Sequence, residues 1–155
     1  MLRPARPDDA EEITRLSVEL GYPAAPEAIA ANLSALLASA RYLVTVAAQG
    51  PRLLGWAVVE RRLALESGER AELTGLVVSA SARRMGIGKA LVSAAEQWGS
   101  EQGLESIYVR SNVARQESHP FYLGLGYNRK KTQHTYEKRL ASVGRNGRPE
   151  RFETA

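Results

Sequence analysis

The order of the predicted elements indicates a mixed α/β fold in which helices flank a largely antiparallel sheet. Three observations carry this prediction. The chain has 155 residues, the length of one ordinary domain. Helical and strand-like patterns follow one another as β-α-α-β-β-β-α-β-α-β, which is not the strict alternation of a parallel sheet. With 44% hydrophobic and 25% charged residues, the composition is typical of a globular domain with a buried core.

The N-terminal part of the chain predicts a strand, two helices and a hairpin. Apolar residues keep a helical spacing at Ile13, Leu16 and Leu20, Pro7 suits a first helical turn, and Gly21 ends the helix. The segment "QGPR" reads as the turn of the hairpin. The predicted elements are a strand at 2–5, helices at 6–21 and 26–40, and strands at 41–49 and 53–62.

The C-terminal part predicts two more strands, two helices and a final strand region. The predicted elements are a strand at 71–80, a helix from the glycine-containing stretch to about 103, a strand at 105–111, a short helix at about 115–124, and β-prone segments over 127–140. Residues 141–155 have no periodicity and are rich in Gly, Arg and Pro. We therefore expect one domain over 1–140, followed by a flexible basic tail or partner-binding arm over 141–155.

The composition excludes several kinds of site. The sequence has no cysteine, which excludes disulfides, thiolate metal sites and cysteine nucleophiles. Its two histidines, His119 and His134, argue against a zinc site, so we expect no metal. No apolar run has the length of a membrane span and no signal peptide is recognisable, so the expected location is the cytoplasm, away from any membrane. The net charge of +4 mildly favours acidic ligands such as phosphates.

The stretch "ARRMGIGKALV" contains the most specific motif. A Walker P-loop requires glycine where the chain has Arg83 and Ser or Thr where it has Ala90. A dinucleotide fingerprint requires a small residue at Leu91. The pattern [QR]-x-x-G-x-[GA] fits instead. Backbone amides at a helix start can bind a pyrophosphate, and the absence of Cβ atoms at Gly86 and Gly88 would let it come close.

These residues resemble the GNAT superfamily of acetyl-CoA-dependent N-acetyltransferases, over about residues 1–140. The resemblance rests on "LRPARPDDAEEITRLSVELGYP", "AELTGLVVSASARRMGIGKALV" and "HPFYLGLGYNRKKTQHTYEKRL". It implies a GNAT-type sheet and a gap, beside the strand before the glycine turn, that takes the pantetheine arm. The residues that it implies for acetyl-CoA binding are Leu76, Val77 and Val78 for pantetheine, and Arg83, Arg84, Met85, Gly86, Ile87, Gly88 and Lys89 for the pyrophosphate.

The same resemblance implies the catalytic groups. Tyr122 matches the family tyrosine in F-Y-x-x-x-G-[FY], the expected general acid beside the CoA sulfur. Glu72 is the candidate base, because even spacing along a strand would place it on one face with Leu76 and Val78. His119, three residues before Tyr122, and a water molecule are the alternatives. The expected reaction is transfer of acetyl from acetyl-CoA to a primary amine, by direct attack in a ternary complex.

The acceptor is left open by the sequence. A small-molecule amine and a protein amine both fit, with Tyr22 and Trp56 as candidates to line the acceptor cleft. Glu60, Glu66 and Glu69 could attract a cationic amine, although arginines stand among them. A non-catalytic acyl-CoA-binding module is the nearest alternative function, and a basic nucleic-acid-binding domain is a weaker one because no recognition motif is present. Similar proteins often dimerise, so a homodimer is a further expectation.

Overall fold

The computed structural model describes residues 1–111 and 117–141. The chain divides into two compact units, Met1–Asn112 and Val113–Ala155. The strands are β1 (Leu2–Pro4), β2 (Tyr42–Gln49), β3 (Arg52–Ala64), β4 (Gly68–Val78) and β5 (Ile107–Val109). The helices are α1 (Ala10–Glu19), α2 (Pro26–Leu37), α3 (Ile87–Glu101) and α4 (Ser118–Gly124), with short 3-10 turns at Pro7–Asp9 and Ala80–Ala82.

The five strands form one sheet in the order β1-β2-β3-β4-β5. The first three pairings are antiparallel, and β4 pairs with β5 in parallel. The predicted fold class, a largely antiparallel sheet flanked by helices, is therefore confirmed. Among the described helices none is long and apolar enough to cross a membrane.

Two β-bulges interrupt the alternation of side chains along the sheet. Between β2 and β3, Ala47 opposes Gly55 while Ala48 opposes Leu53, so Leu54 is an additional residue in β3. Between β3 and β4, Val58 opposes Gly75 while Val59 opposes Leu73, which makes Thr74 an additional residue in β4. Each bulge reverses the face to which the following residues point.

The two faces of the sheet carry different parts of the core. One face packs against α1 and α2. The core between this face and the two helices includes the buried residues Ile13, Leu16, Leu33, Val44, Val46 and Val77. The other face packs against α3, whose buried residues are Leu91, Val92, Ala95 and Gly99. We call these surfaces the α1/α2 face and the α3 face. Because β-strand side chains alternate, one strand contributes to both cores.

The first helical turn is fixed by a buried carboxylate. Asp9 is 7% exposed, and its two oxygens accept hydrogen bonds at 2.8 Å from both terminal nitrogens of Arg3 in β1. The backbone N–H of Arg6 donates to the same carboxylate at 2.7 Å. The Arg3 hydrogen bonds, followed by that of Arg6, hold the pKa of Asp9 below its usual range although burial acts against them.

In the second unit, α4 is followed by residues 127–141 without helix or strand. The predicted final strand over 127–140 is therefore wrong. Tyr136 and Leu140 are 91% and 80% exposed, and the residues between 128 and 139 are otherwise mostly polar or charged. A strand of this composition has little apolar surface to bury, so pairing would not repay its loss of conformational freedom. The predicted tail lies outside the described residues from 142 onward, and its boundary stays a prediction.

Candidate functional site

A gap opens in the sheet beside the second half of β4. The parallel pairing with β5 joins Ala71 to Ile107, Glu72 to Tyr108 and Leu73 to Val109, and β5 then ends. β4 continues to Val78, still paired with β3 on its other side. Among the described strands, none pairs with residues 74–78 on the β5 side, so their outward backbone groups line the gap. Leu76, Val77 and Val78 are the last three residues of β4.

The glycine turn follows β4 and opens α3. Gly86 is the N-cap of α3 and has a left-handed backbone with φ of 75°, which a glycine adopts without steric cost. Arg84 is left-handed as well, with φ of 66°, an uncommon conformation for a residue with a side chain. The first helical hydrogen bond runs from Ala90 N to Gly86 O at 3.0 Å. The amides of residues 87–89 therefore precede the helical ladder, as anion-binding amides at helix starts do.

The side chains of this turn lie at the surface. Arg83, Arg84, Met85 and Lys89 are exposed, Met85 to 62%. Ile87 is half-buried, and its side chain anchors the helix start on the sheet beside Gly55. A Cβ at Gly55 would lie 2.7 Å from Val77 O and 3.4 Å from Ile87 Cγ2. The absence of a side chain at Gly55 thus lets the start of α3 approach the end of β4.

Glu72 is a buried carboxylate between two arginines. Its side chain is 5% exposed, and Arg62 Nη1 donates to Oε2 at 2.9 Å. Arg110 Nε lies 3.4 Å from Oε1, but this ion pair lacks hydrogen-bond geometry, and Oε1 accepts no hydrogen bond from any described residue. Glu72 raises the pKa of Arg62, first through their hydrogen bond and then through its charge. One oxygen of Glu72 thus keeps acceptor capacity.

The prediction that Glu72 shares a face with Leu76 and Val78 is wrong, because the bulge at Thr74 intervenes. Glu72 opposes Glu60 in β3, and that position lies on the α1/α2 face. Leu76 opposes Ala57, and Val78 opposes Gly55, whose added Cβ would meet α3. We call the point at Leu73, where the pairing of β4 with β5 ends, the vertex of the gap. Glu72 therefore lies next to this vertex on the α1/α2 face, and Leu76 and Val78 lie on the α3 face.

Tyr122 belongs to the second compact unit. It lies on α4, half-buried, with its ring 5.1 Å from that of Phe121 and 5.8 Å from that of Tyr127, both edge to face. Its carbonyl accepts hydrogen bonds at 3.1 Å from the amides of Leu125 and Tyr127, which close the helix. His119 lies three residues earlier on α4 and is also half-buried. These contacts fix the tyrosine ring in an aromatic cluster.

The carboxylates considered for the acceptor do not converge. Glu69 forms ion pairs with Arg41 and Arg61, and it opposes Leu63 on the α3 face. Glu60 lies on the α1/α2 face opposite Glu72. Glu66 is exposed in the hairpin turn.

The two candidate aromatic residues have different environments. Tyr22 follows α1 and is 41% exposed. Trp56 is half-buried on the α1/α2 face, where its ring lies over Gly75, and a Cβ at Gly75 would approach the ring to 2.6 Å. The α1/α2 face thus carries the Trp56 ring near the core and charged residues near the vertex of the gap.

Sequence reasoning missed the arginines that surround Glu72. Arg62 opposes Arg70 across the β3–β4 hairpin, and Glu60 opposes Glu72 two residues further on. Both pairs are symmetric about the hairpin tip, so a hairpin register centred on residue 66 would have predicted that these four residues lie close together. Arg110 follows the short β5 and carried no such signal. The described residues contain no group of three or more His, Asp or Glu that could hold a metal ion.

A family model described as "Acetyltransferase (GNAT) family" matches residues 9–127. That match includes the gap, the glycine turn and Tyr122. No curated protein sequence matches this chain.

Solved structures share the fold at low sequence identity. An aminoglycoside 6'-N-acetyltransferase from Acinetobacter haemolyticus is 17% identical with a TM-score of 0.79, covering 90% of this chain and 99% of its own. An enzyme of the same kind from Acinetobacter baumannii is 19% identical with a TM-score of 0.79, covering 90% and 98%. A third, bound to the bisubstrate analogue CoA-S-monomethyl-acetylneamine, is 21% identical with a TM-score of 0.80, covering 90% and 97%.

Proposed function

Because this chain belongs to the acetyltransferase (GNAT) family, we propose that it transfers the acetyl group of acetyl-CoA to a small-molecule amine. The observation that carries the proposal is the gap between β4 and β5, which leads directly into a helix start that fits an anion. A pantetheine arm is extended and carries amides, and residues 74–78 offer it a strand edge that no described strand covers. The similar structure with a CoA bisubstrate analogue supports this class of co-substrate.

Two parts of the chain hold acetyl-CoA in this proposal. The backbone of Leu76, Val77 and Val78 pairs with the pantetheine amides, as a neighbouring strand would. The turn from Arg83 to Lys89 takes the pyrophosphate, because helix-start amides and exposed cationic side chains both favour an anion there.

Tyr122 is the proposed general acid. As the amine nitrogen bonds to the acetyl carbon and the C–S bond breaks, the departing sulfur gains negative charge that a phenolic O–H can stabilise. Full proton transfer from a phenol of pKa near 10 to a thiol of pKa near 8.5 is uphill by about 2 kcal/mol in unperturbed groups. A strong hydrogen bond from Tyr122 to sulfur therefore supplies most of the effect, with solvent completing protonation.

Glu72 is the proposed proton acceptor. An alkylammonium must lose a proton before its nitrogen can attack. Glu72 lies beside the vertex of the gap, next to the part of β4 that we propose for the pantetheine arm. Its Oε1 accepts no hydrogen bond from the described residues, so it keeps the capacity to receive that proton, with a water molecule as the link to the amine. His119 is the alternative base, and a Glu72→Gln variant that keeps its activity would favour it.

The first test is calorimetric titration with acetyl-CoA, with ATP and NADH as controls at the same salt concentration. Selective micromolar binding of acetyl-CoA is the expected result, and equal binding of all three ligands would contradict the proposal. Acetyl transfer to a panel of amines is then measured through the release of the CoA thiol, which gives no background because the protein has no cysteine.

Tyr122→Phe tests the acid. Turnover is expected to fall on the order of 100-fold while acetyl-CoA affinity is nearly unchanged. Tyr127→Phe is the matched control, because it removes a phenolic hydroxyl from the ring that packs against Tyr122. If the Tyr122→Phe variant turned over as fast as the Tyr127→Phe variant, Tyr122 would not be the general acid.

A further inference from the structure

The α1/α2 face carries a cationic cluster at the vertex of the gap. Three arginines reach this face from three adjacent strands: Arg62 in β3, Arg70 in β4, and Arg110 directly after β5. Two carboxylates, Glu60 and Glu72, share the face with them. The cluster therefore carries three positive and two negative formal charges around Glu72, next to the point where the β4–β5 pairing ends.

Glu72 orders two of these arginines. The buried carboxylate accepts a hydrogen bond from Arg62 on one oxygen and pairs with Arg110 on the other. Because the Glu72 side chain is buried, at 5% exposed, its position is fixed by packing, and it holds one end of each guanidinium in place. The side chains of Arg62 and Arg110 are nevertheless 42% and 63% exposed, so a ligand in solvent can reach them.

Arg70 and Ser111 add further unused donors beside this pair. The Arg70 guanidinium lies 3.9 Å above the Tyr108 ring, an arrangement that fixes its plane. Its Nε is buried and donates no hydrogen bond to any described residue, and the same holds for the Ser111 hydroxyl. Buried donors without partners are uncommon in folded proteins and indicate that something else satisfies them.

We propose that Arg62 and Arg110, ordered by Glu72, bind an anionic group of the acceptor, which is therefore an amine that carries a carboxylate or phosphate. This inference rests on the proposed acetyl transfer. Guanidinium groups with free N–H pairs match the geometry of carboxylates and phosphates. With its anion on Arg110, an amino acid would bring its ammonium group to the side of the cluster where Glu72, the proposed proton acceptor, lies.

The same charges disfavour a polycationic acceptor. The similar solved structures include acetyltransferases of aminoglycosides, which carry several amines. Here the buried carboxylate of Glu72 already interacts with two arginines, and the formal charge of the cluster stays positive. A polycation would meet like charges at the vertex of the gap, which costs affinity.

The experiment compares acceptors that differ only in the anion. Thiol release from acetyl-CoA is measured with α-amino acids and their α-carboxamides, with O-phosphoethanolamine and ethanolamine, and with an aminoglycoside. The first pair reports on a carboxylate and the second on a phosphate. The inference predicts a KM at least 10-fold lower for the anionic member of one pair than for its neutral partner.

Arg110→Gln and Arg62→Gln are expected to raise the KM of the anionic acceptor by about 10- to 100-fold, so that the preference over its neutral partner is largely lost. Arg110→Lys keeps the charge without the forked donor and should fall between. Arg41→Gln is the matched control, because Arg41 pairs with Glu69 on the α3 face and lies outside the cluster.

Each outcome has a distinct meaning. Equal transfer to neutral and anionic amines, or an unchanged KM in the arginine variants, would overturn the inference and leave the acetyltransferase function standing. No thiol release with any amine, although acetyl-CoA binds, would overturn the proposed function and the inference together. Preferred transfer to the aminoglycoside would overturn the inference alone.

Discussion

Glu19 at the end of α1 accepts hydrogen bonds from Ser79, 60 residues away in the chain. Its Oε1 receives the Ser79 hydroxyl at 2.9 Å and the backbone N–H of Ala80 at 3.1 Å. Ser79 is 1% exposed and directly follows β4. These bonds, that of Ser79 first, lower the pKa of Glu19. One carboxylate thus ties α1 to the segment that leads into the glycine turn.

Glu19→Ala should lower the free energy of unfolding by about 1 kcal/mol, because it removes the acceptor of a buried hydroxyl. The loss is expected at the low end of the range for such groups, since Ser79 Oγ keeps Ser81 Oγ at 3.0 Å. Urea denaturation measures it, with Glu11→Ala, an exposed glutamate of the same helix, as the control. An equal midpoint for both variants would show that the tie contributes nothing.

Asp9→Asn should destabilise the protein by about 2 kcal/mol at pH 7, because it breaks a charge-assisted pair with Arg3. The pKa of Asp9 is depressed on folding. Its contribution is therefore fully present above the ordinary carboxyl pKa near 4 and is lost as the pH falls through the lower folded value. The stability difference between the two proteins should shrink in acid. Urea midpoints at several pH values measure it, with exposed Asp8→Asn as the control; a difference constant down to pH 2 would contradict the assignment.

Gly55→Ala should destabilise the protein by about 1–3 kcal/mol, the usual range for overpacking. The new Cβ would lie 2.7 Å from Val77 O, a backbone atom that cannot rotate away. Gly124→Ala, in α4 with nothing within 4 Å of its added Cβ, should be neutral or slightly stabilising. Thermal unfolding of both variants measures the contrast. Two similar melting temperatures would mean that the backbone of β4 can shift away from the new Cβ without cost.

Arg84→Gly and Arg83→Gly remove the same charge but should differ in stability. Arg84 is left-handed, so glycine relieves about 1 kcal/mol of strain and offsets its own entropic cost. Arg83 is extended, with φ of −64° and ψ of 149°, and glycine there should cost about 0.5–1 kcal/mol. Urea denaturation compares the two, and calorimetry should find weaker acetyl-CoA binding in both. A larger loss of stability for Arg84→Gly would contradict the strain.

Much of the fold could be predicted from local sequence pattern. The helices, the β2–β3 hairpin and the glycine turn each depend on spacing or on Gly and Pro at particular positions, which the sequence displays directly. The final strand could not, because β-propensity depends on what a segment can bury and not on its residues alone. Tyr136 and Leu140 have no described surface to cover them.

The candidate site was predicted in its parts but not in its arrangement. The resemblance identified Glu72 and the residues at the end of β4, but the bulge at Thr74 puts them on opposite faces. A single additional residue leaves no compositional trace, yet it reverses every side chain that follows. The ion pair of Glu72 with Arg110 depends on a pairing between strands far apart in the chain, which no local pattern shows.

The end of β4, on which no described strand pairs at the β5 side, is also a feature that bears on aggregation. Residues 74–78 present strand backbone that no described strand covers on one side. Such an edge is a template on which another chain can add by intermolecular pairing. A co-substrate that covers this edge would protect the protein from aggregation while serving as the acyl donor, so solubility during purification and storage should rise with occupancy of the gap.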